Sequence, residues 1–567
     1  MNKAHFLPWR FYLALAIIII AAFGVIWRVF DLTILDQSFL RRQGDDRVLR
    51  LMNTHAPRGM VLDRNGYPLA VSTQVFSVWM NPLEFKPNKK QANEISRLLN
   101  LKPKQLAAMI KQYSKTKREF IYLKRSLSPE IAKEIKALKV PGLYTQSEYK
   151  RYYPEGEVAA QVVGFTNVDD HGQEGLELAY NEWLEGEQGK TWVIKDRLGR
   201  VISNVQTVAV QKPGHDLVLS IDRRIQYLAY RELLAGVKEN EAASGSVIVL
   251  DVRTGEVLAM VNQPSFNPNN RPAHVSELLR NRAVTDTFEP GSTIKAFSVA
   301  SALDSGHFKP DTIIDTNPGW MRVGHNVVKD AHGVGRATVT QVLQKSSNVG
   351  VTKMILSLPP QQLWSLLHRV GFGEVTAIGF PGERAGALVK RDVWGAFTLA
   401  TLAFGYGVSV TPLQLTRAYA VIANDGKKLP VSLLKLDGPP KGEQVMNPKI
   451  ARQMMLLLES VVSKGGTAEA ASVPGYRVAG KTGTSVKVGE HGYEKHRYLS
   501  TFVGMAPLTS PRLVVAVIIN DPRGKQYYGG QVAGPVFERI MEGTLRLLDV
   551  PPDKVETPAN KVETPEA

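Results

Sequence analysis

The amino-acid sequence predicts an α+β protein: an antiparallel sheet flanked by helices, preceded by a single transmembrane helix and an elongated mixed α/β N-terminal module. Three patterns along the chain predict this fold. An uncharged apolar run lies near the N-terminus, at residues 11–27. Strand-like segments precede a long helical middle, and further strand-like segments follow it, at residues 244–250, 257–261, 476–484, 501–503 and 513–519. This order is typical of an antiparallel sheet with helices packed against it.

The apolar run predicts an uncleaved membrane anchor, which we place at residues 11–28. Its length is near the short end of the roughly 17 to 25 residues that span a bilayer. A cleaved signal peptide is the main alternative, but no small-x-small cleavage site follows the run. Lys3 and Arg10 predict a cytoplasmic tail at residues 1–10 and an exported remainder. Arg28, Arg41 and Arg42, on the far flank, weaken that charge argument.

Between the anchor and residue 215 the patterns are mixed, and we predict a non-catalytic module over residues 29–215. Residues 31–53 suggest a helix, and residues 58–62 suggest a strand that ends in an Asn65-Gly66 hairpin turn. Residues 92–140 are mainly helical in pattern, with Pro103 and Pro129 suited to first-turn positions. A strand at 216–221 then opens a larger domain over residues 216–548. The composition of residues 549–567 predicts a disordered tail.

The composition excludes several chemistries. The 567 residues include no cysteine, which rules out disulfides, a thiolate nucleophile, cysteine-ligated zinc and iron–sulfur clusters. We predict neither a metal site nor a cofactor. The chain has 70 Lys and Arg residues against 53 Asp and Glu, a net charge of +17 that suits nucleic acid, an anionic lipid surface or an acidic polymer. Because an exported domain is not expected to meet nucleic acid, we predict no nucleic-acid partner.

Three short motifs in the C-terminal half carry the functional signal. They are Ser292-Thr293-Ile294-Lys295, Ser346-Ser347-Asn348 and Lys481-Thr482-Gly483-Thr484, in the order used by serine acyl-transferases that penicillin acylates. A Ser-x-x-Lys string alone says little, because the chain repeats it at Ser114, Ser147 and Ser432. The joint occurrence of the three motifs is therefore the evidence.

The first motif has the residues needed for an activated serine. A serine hydroxyl is a poor nucleophile until a neighbouring base takes its proton. Ser292 follows a turn sequence suited to starting a helix, and Lys295 lies one helical turn later on the same face. Lysine acts as a base only when neutral, so desolvation and a second cation must lower its pKa. Lys481 is the predicted second cation.

The other two motifs suit substrate binding and proton transfer. Lys481, Thr482 and Thr484 end a predicted strand and can hold a substrate carboxylate, while Gly483 lets a substrate backbone lie alongside. The backbone N–H groups of Thr484 and Ser292 are the predicted oxyanion hole. Ser346 is suited to relay a proton to the leaving amine, and Asn348 to hold the substrate amide and Lys295. The alternative for this second motif is an ordinary helix cap.

Taken together, these segments resemble the class B penicillin-binding proteins, specifically the septal peptidoglycan D,D-transpeptidases of the FtsI type from Gram-negative bacteria. Further strings share the resemblance: Arg58-Gly59, Asp63-Arg64-Asn65-Gly66, Tyr153-Pro154, Gly175-Leu176-Glu177, Phe404-Gly405-Tyr406-Gly407, Thr411-Pro412-Leu413-Gln414-Leu415 and Tyr527-Tyr528-Gly529-Gly530. One departure is Lys295-Ala296-Phe297, where the family usually has a proline after the lysine. It lies outside the catalytic atoms.

The resemblance implies a fold, a reaction and a setting. The implied fold is a penicillin-binding, β-lactamase-like transpeptidase domain after a pedestal or dimerisation-type module. Ser292 is implied to be the acylated nucleophile, Lys295 its base, Ser346 and Asn348 the second motif, and Lys481, Thr482, Gly483 and Thr484 the carboxylate-binding strand. The enzyme is implied to attack the D-Ala-D-Ala bond of a stem peptide, release D-Ala and pass the acyl group to an amine of a neighbouring stem.

The implied partners are peptidoglycan stem peptides, β-lactam antibiotics, a polytopic lipid-II polymerase and other division proteins. The implied location is the inner membrane, single-pass, with the N-terminus in the cytoplasm and the catalytic domain in the periplasm. Other functions remain open on sequence alone. A D,D-carboxypeptidase or a β-lactamase-like hydrolase uses the same serine chemistry with water as acceptor. A β-lactam sensor or a divisome scaffold is the non-enzyme alternative.

Overall fold

The computed structural model describes residues 8–38, 49–116, 118–195, 201–271, 276–489 and 492–554. Its first element is the apolar helix Pro8–Phe30, continued by a short π-helical turn at Asp31–Leu35. The 23 residues of the helix correspond to about 35 Å, enough for a hydrocarbon core of about 30 Å. Among the described residues this is the one helix long and apolar enough to cross a membrane, and its large side chains are exposed. It is consistent with a single-pass anchor.

The rest of the chain packs as two units, and the division is discontinuous along the sequence. The smaller unit comprises residues 1–57, 74–150 and 186–214, and the larger one comprises residues 58–73, 151–185 and 215–567. The strand Pro68–Met80 contributes its first residues to the larger unit and its remainder to the smaller one. Two parts of the predicted 29–215 module therefore pack with the residues that follow 215.

Besides the apolar helix Pro8–Phe30, the described residues of the smaller unit form strands of two sheets and three main helices. Leu49–Thr54, Gly189–Lys195 and Val201–Ala209 form a three-stranded antiparallel sheet. The end of Pro68–Met80 pairs with Ile121–Leu127. Pro68–Met80 also pairs with a third strand, Leu143–Tyr152. The helices are Lys89–Leu98, Pro103–Tyr113 and Pro129–Ala137, and their apolar faces enclose a core that includes Met80, Phe85 and Ile95.

Outcomes for the N-terminal predictions differ from one segment to the next. Pro103 and Pro129 are first-turn residues of their helices, as predicted, and Gly66 adopts a positive φ of 84° in the predicted turn. The predicted helix over 31–53 is wrong at its end, where Leu49–Thr54 is a strand paired with Gly189–Lys195. That pairing depends on a segment about 140 residues away, which local pattern does not reveal. Residues 1–7 and 39–48 lie outside the described residues.

The larger unit is built on a five-stranded antiparallel sheet. Its strands are β1 (Ser244–Asp251), β2 (Val257–Gln263), β3 (Ala479–Gly489), β4 (Gly492–Ala506) and β5 (Leu513–Asn520). Their spatial order is β2-β1-β5-β4-β3, so β3 is an edge strand. β1 and β2 are buried along their whole length and β5 almost so, because helices cover the sheet. The predicted antiparallel sheet flanked by helices is confirmed.

Helices and small hairpins complete this unit. The longer helices are Arg223–Glu239, Lys295–Asp304, Asn348–Leu356, Pro360–Arg369, Ala396–Ala403, Pro412–Ala423, Pro448–Val462 and Gly534–Leu547. The shorter helices and 3₁₀ turns are Gly156–Val158, Ala160–Val163, Gly175–Ala179, Asn181–Leu184, Ser276–Leu279, Arg282–Thr285, Gly291–Ile294, Val339–Gln344, Glu469–Ala471 and Gly529–Val532. Short paired strands are Val61–Leu62, Phe165–Thr166, Gly172–Glu174, Leu217–Val218, Ile313–Asp315, Trp320–Val323, Asn326–Lys329, Arg336–Thr338, Lys427–Lys428 and Glu443–Gln444.

Strand boundaries were predicted less well at the C-terminal end. β3 runs from Ala479 to Gly489 rather than over 476–484, so the Lys481 motif lies in its first half and does not end it. β4 is far longer than the predicted 501–503, because its polar first residues pair with β3 in a hairpin and carry no apolar pattern. The predicted tail also starts too early. Val550 O accepts a hydrogen bond from Tyr476 Oη at 2.5 Å, and the Asp553 carboxylate accepts one from the Arg477 N–H at 2.7 Å. The packed chain extends to Lys554, and residues 555–567 lie outside the described residues.

A buried ion network joins three segments of the larger unit. Glu177 accepts hydrogen bonds from Arg58 Nε at 2.7 Å and from Arg151 Nε at 2.6 Å, and all three side chains are buried. Arg58 also donates to the Asn181 side chain and to the Glu177 carbonyl. Glu177 thus bonds both buried guanidinium groups, and the nearby carboxylate of Asp170 also interacts with both charges.

Replacing Glu177 with glutamine is expected to destabilise the larger unit by about 3 kcal/mol or more, because two buried cations lose their counter-charge. The measurement is the thermal unfolding midpoint of the full chain, with Glu182→Gln as an exposed control in the same region. An unchanged midpoint in Glu177→Gln would show that the network contributes nothing net to stability.

Candidate active site

Ser292 lies in the 3₁₀ turn Gly291–Ile294, directly before the helix Lys295–Asp304. Gly291 has a positive φ of 52°, and its backbone N–H donates to Gly405 O at 3.1 Å. Gly405 itself has no room for a side chain, since a Cβ there would lie 2.0 Å from Gly291 O. These two glycines hold the turn against the 404–407 segment. Ser292 is half-buried, and within the described part of the chain its hydroxyl has no hydrogen-bond partner.

The three sequence motifs meet at the hydroxyl group of Ser346. Lys295 Nζ donates to Ser346 Oγ at 3.1 Å and to Ser346 O at 2.5 Å. Lys481 Nζ reaches the same Oγ at 3.1 Å from the strand β3. Ser346 adopts a positive φ of 59°, an uncommon conformation for a residue other than glycine. Such strain is typical of functional sites, where the surrounding contacts over-determine the backbone.

Both lysines are poor cations in this environment. Burial, then the neighbouring charge of Lys481, holds the pKa of Lys295 well below its ordinary value, and Asp330 partly opposes this shift. Burial lowers the pKa of Lys481 to about 7. The two buried ammonium groups bond the same hydroxyl and repel each other. This repulsion favours the loss of a proton from one of the two lysines. Both shifts favour the neutral amine beside Ser346.

Replacing Lys481 with methionine is expected to move the acid limb of the acylation rate to higher pH. The positive charge of Lys481 lowers the pKa of Lys295, so its removal raises that pKa and keeps Lys295 protonated to higher pH. The measurement is the second-order rate of acylation by a penicillin from pH 5 to pH 10. The exposed Lys464→Met serves as the control. A lower plateau with no shift of the limb would contradict the electrostatic role, because lost contacts alone lower the rate at every pH.

The second motif is held by the hairpin before it. Asp330 accepts hydrogen bonds from Ser347 Oγ at 2.8 Å and from the Val349 N–H at 2.9 Å. Asn348 Nδ2 donates to Lys329 O at 2.8 Å. Ser347 also caps the helix Asn348–Leu356 by accepting from the Gly350 N–H. The helix-cap interpretation is thus correct for Ser347, while its neighbour Ser346 contacts both lysines.

The predicted contact of Asn348 with Lys295 is absent from the hydrogen bonds of the described residues. The Asn348 amide is instead fixed on Lys329 O, beside the turn that carries Ser346.

The third motif lies on the edge strand β3, with alternate side chains on its two faces. Gly483 packs against the turn that carries Ser292, since a Cβ there would lie 2.9 Å from the Thr293 methyl group and 3.1 Å from Pro290 O. This differs from the predicted reason for the glycine, which was room for a substrate. Thr482 Oγ1 bonds Thr467 Oγ1 at 3.0 Å, and Thr484 Oγ1 accepts from the Gly529 N–H at 3.0 Å. Among the described strands β3 pairs only with β4, so its outer edge is open to an extended peptide.

The structure adds aromatic residues that the motif analysis did not assign to the site. Tyr498 stacks on Tyr527 with ring centroids 4.3 Å apart, and Tyr527 contacts Tyr528 at 4.4 Å. This stack is tied to the site through Ser500 Oγ, which donates to Tyr527 O, and through the bond from the Gly529 N–H to Thr484. The Tyr527-Tyr528-Gly529-Gly530 string was the available signal. The stack supplies an apolar wall next to the third motif.

The other Ser-x-x-Lys strings lie elsewhere and have ordinary partners. Ser114 Oγ donates to Lys111 O, Ser147 Oγ accepts from Gln74, and Ser432 Oγ donates to Leu434 O. Among the described residues, none of these three hydroxyls bonds the amine of a lysine. In the described ranges no cluster of His, Asp or Glu has the arrangement of a metal site.

Comparison with known proteins gives matches over nearly the whole chain. A family model described as the penicillin binding protein transpeptidase domain matches residues 245–542, and one described as the penicillin-binding protein dimerisation domain matches residues 53–219. The chain is 43% identical over 561 residues to the peptidoglycan D,D-transpeptidase FtsI of Escherichia coli K12, covering 98% of this chain and 95% of that protein.

Two solved structures are also similar. The transpeptidase domain of Burkholderia pseudomallei penicillin-binding protein 3 has 44% identity and a TM-score of 0.55, covering 59% of this chain and 98% of that one. Penicillin-binding protein 3 of Mycobacterium tuberculosis, solved in complex with aztreonam, has 28% identity and a TM-score of 0.69. That match covers 89% of this chain and 98% of that one.

Proposed function

The chain belongs to the penicillin-binding protein family, and from that membership we propose that Ser292 is the nucleophile of its peptidoglycan D,D-transpeptidase reaction. The enzyme is a D,D-transpeptidase that cross-links stem peptides in septal cell-wall synthesis, with β-lactams as its inhibitors. One observation carries the assignment of roles: Lys295 and Lys481, on different elements, converge on the hydroxyl of Ser346 next to the turn that holds Ser292.

In the first half-reaction Ser292 Oγ attacks the carbonyl carbon of the D-Ala-D-Ala bond, and its proton passes to neutral Lys295 Nζ. The backbone N–H groups of Ser292 and Thr484 stabilise the oxyanion, a contribution of about 3 kcal/mol per donor in comparable sites. Collapse of the tetrahedral intermediate breaks the C–N bond. The leaving amine takes a proton from Lys295 through Ser346 Oγ, which is bonded to both lysines. D-Ala departs and an ester to Ser292 remains.

In the second half-reaction the amine of a neighbouring stem attacks this ester. Lys295 takes the proton of that amine, the new amide forms, and Ser292 Oγ is released with a proton returned to it. Before D-Ala departs, Lys481, Thr482 and Thr484 hold the terminal carboxylate of the donor. Gly483 lets β3 lie close to the turn that carries Ser292, and Asn348 holds the substrate amide. The open edge of β3 supports binding of the donor as an added strand.

The arrangement of the chain in the cell belongs to the same proposal. Lys3 and Arg10 support a cytoplasmic N-terminus, with the residues after the anchor in the periplasm. We assign residues 216–548 to the transpeptidase domain and residues 29–215 to the N-terminal module. The limits of the two family matches, 245–542 and 53–219, support this division. A polytopic lipid-II polymerase and other division proteins are the proposed partners of the anchor and the module.

The acceptor distinguishes the proposed reaction from its alternatives. The full chain in detergent is incubated with a D-Ala-D-Ala stem pentapeptide, with and without a stem that offers a free amine. We expect D-Ala release with the amine present to be matched by cross-linked product. Equal release with only hydrolysed tetrapeptide would identify a D,D-carboxypeptidase. Ser292→Ala is the control for background hydrolysis.

A further inference from the structure

A cavity lies in the larger unit, outside the proposed acyl-transfer centre. It has a volume of about 650 Å³, within the range of small-molecule sites. One wall is the second half of β3, residues 485–488, and the opposite wall is the 285–289 segment that leads to Ser292. The four side chains Ser292, Lys295, Ser346 and Lys481 are not part of its lining. A ligand here would touch both segments that carry the catalytic motifs without occupying the reaction centre.

The lining is predominantly basic. Its charged side chains are four cations and two carboxylates: Arg280, Arg282, Arg384, Lys487, Asp286 and Glu289. Asp286 is shared by two guanidinium groups, since it accepts from Arg282 Nη1 at 3.2 Å and pairs with Arg280 Nε at 3.0 Å. Glu289 is already occupied by Tyr493 Oη and by the Gly407 N–H, each at 2.9 Å. The acids are therefore used within the protein, and the cations exceed them.

Two of the cations have no directly bonded carboxylate among the described residues. Within the described residues, neither the Arg384 guanidinium nor the Lys487 ammonium makes a hydrogen bond or an ion pair with the rest of the protein. Lys487 is half-buried, and burial together with nearby Arg497 lowers its pKa, while the carboxylates of Asp521, Glu494 and Asp286 partly oppose this shift. Lys487 lies on β3 at the irregularity between Val486 and Val488, six residues after Lys481. An unpaired cation in a partly dry cavity favours an external anion.

We propose that this cavity binds a carboxylate group carried by a stem peptide, at a place separate from the site of its terminal D-Ala carboxylate. Thr484 and Lys487 are three residues apart on β3, about 10 Å at the rise of an extended strand. A five-residue stem spans up to about 17 Å when extended, so carboxylates of one stem are far enough apart to reach both places. The existence of an anion site follows from the lining alone, and only the identity of the ligand rests on the proposed transpeptidase function.

The test uses the full chain in detergent with the Ser292→Ala substitution, so that no acylation occurs. Two probes are titrated by calorimetry: a stem tripeptide that lacks D-Ala-D-Ala but keeps its carboxylates, and free glutarate. We expect the tripeptide to bind, and Lys487→Met and Arg384→Gln each to weaken its binding about tenfold. Lys441→Met, which removes an exposed cation away from the cavity, is expected to leave the affinity unchanged.

Each other outcome is informative. The proposal would be overturned if Lys487→Met and its control Lys441→Met bound the tripeptide equally well. It would also be overturned if the tripeptide did not bind at all. Glutarate binding as tightly as the tripeptide would overturn it in favour of a site for free carboxylates. Penicillin acylation of the protein with native Ser292, measured in parallel, reports on the proposed function alone. Its absence beside intact tripeptide binding would refute the reaction and leave the anion site in place.

Discussion

Ser292→Ala is expected to lower the rates of penicillin acylation and of stem-peptide cross-linking by at least about 10⁴-fold, since removing a catalytic nucleophile costs that much or more in serine enzymes. The chain has no cysteine to substitute for it, and the hydroxyls of Ser346 and Ser347 are already engaged by other groups. The substitution removes one half-buried hydroxyl that has no hydrogen-bond partner among the described residues, so the thermal unfolding midpoint should not change. The measurement is the rate of covalent labelling by a fluorescent penicillin.

The matched control is Ser432→Ala. Ser432 begins a second Ser-x-x-Lys string in the larger unit, but its hydroxyl bonds the Leu434 carbonyl and no lysine. Labelling of this variant should equal that of the unmodified protein. If Ser292→Ala retained labelling, or if Ser432→Ala lost it with an unchanged unfolding midpoint, the assignment of the nucleophile would be wrong.

Lys295→Met is expected to lower the acylation rate about 10²–10⁴-fold, the usual range for loss of a general base. The side chain is fully buried and its amine donates to both oxygen atoms of Ser346, so a lysine at the protein surface cannot take its place. Methionine has a similar length and fills the same space without the amine. The pre-steady-state acylation rate at pH 8 is the measurement, and Lys464→Met is the control.

Stability separates this loss of function from misfolding. Burial holds the pKa of Lys295 in the folded protein below its ordinary value. At a pH between the folded-state and unfolded-state pKa values, Lys295 therefore carries a proton in the unfolded chain but not in the folded protein. The lysine therefore costs stability at neutral pH, and the cost decreases as the pH rises towards its ordinary pKa. Lys295→Met should unfold at a midpoint no lower than that of the unmodified protein at pH 7. A slow variant with a much lower midpoint would not support a catalytic role.

The sequence predicted the main features of the fold because they depend on local pattern. The apolar run at 11–27 has no polar interruption, and β1, β2 and β5 are short apolar segments bounded by turns, so their types and approximate limits were readable. The start of β4 was missed because its polar residues form a hairpin with β3 away from the apolar core. Leu49–Thr54 was missed because a strand with a distant partner has no local signature.

The candidate site was readable as a set of residue types but not as a geometry. Spacing and family resemblance selected Ser292, Lys295, Ser346 and Lys481, and the last three meet at one hydroxyl. Sequence gave no reason to place Asp330 under Ser347, since the contact joins the end of a hairpin to the start of a helix seventeen residues later. The contact of Gly483 with the turn that carries Ser292 was equally hidden, because it joins segments that are almost two hundred residues apart.

The most direct test of the central assignment is the mass of the protein after exposure to a penicillin. The full chain in detergent is incubated briefly with the drug, and intact mass and peptide mapping are followed over hours. We expect one adduct with the mass of the intact drug, located on the peptide that contains Ser292 and stable throughout. An adduct on another serine, an adduct that disappears within minutes as hydrolysed drug accumulates, or no adduct on folded protein would contradict an acyl-enzyme transpeptidase at Ser292.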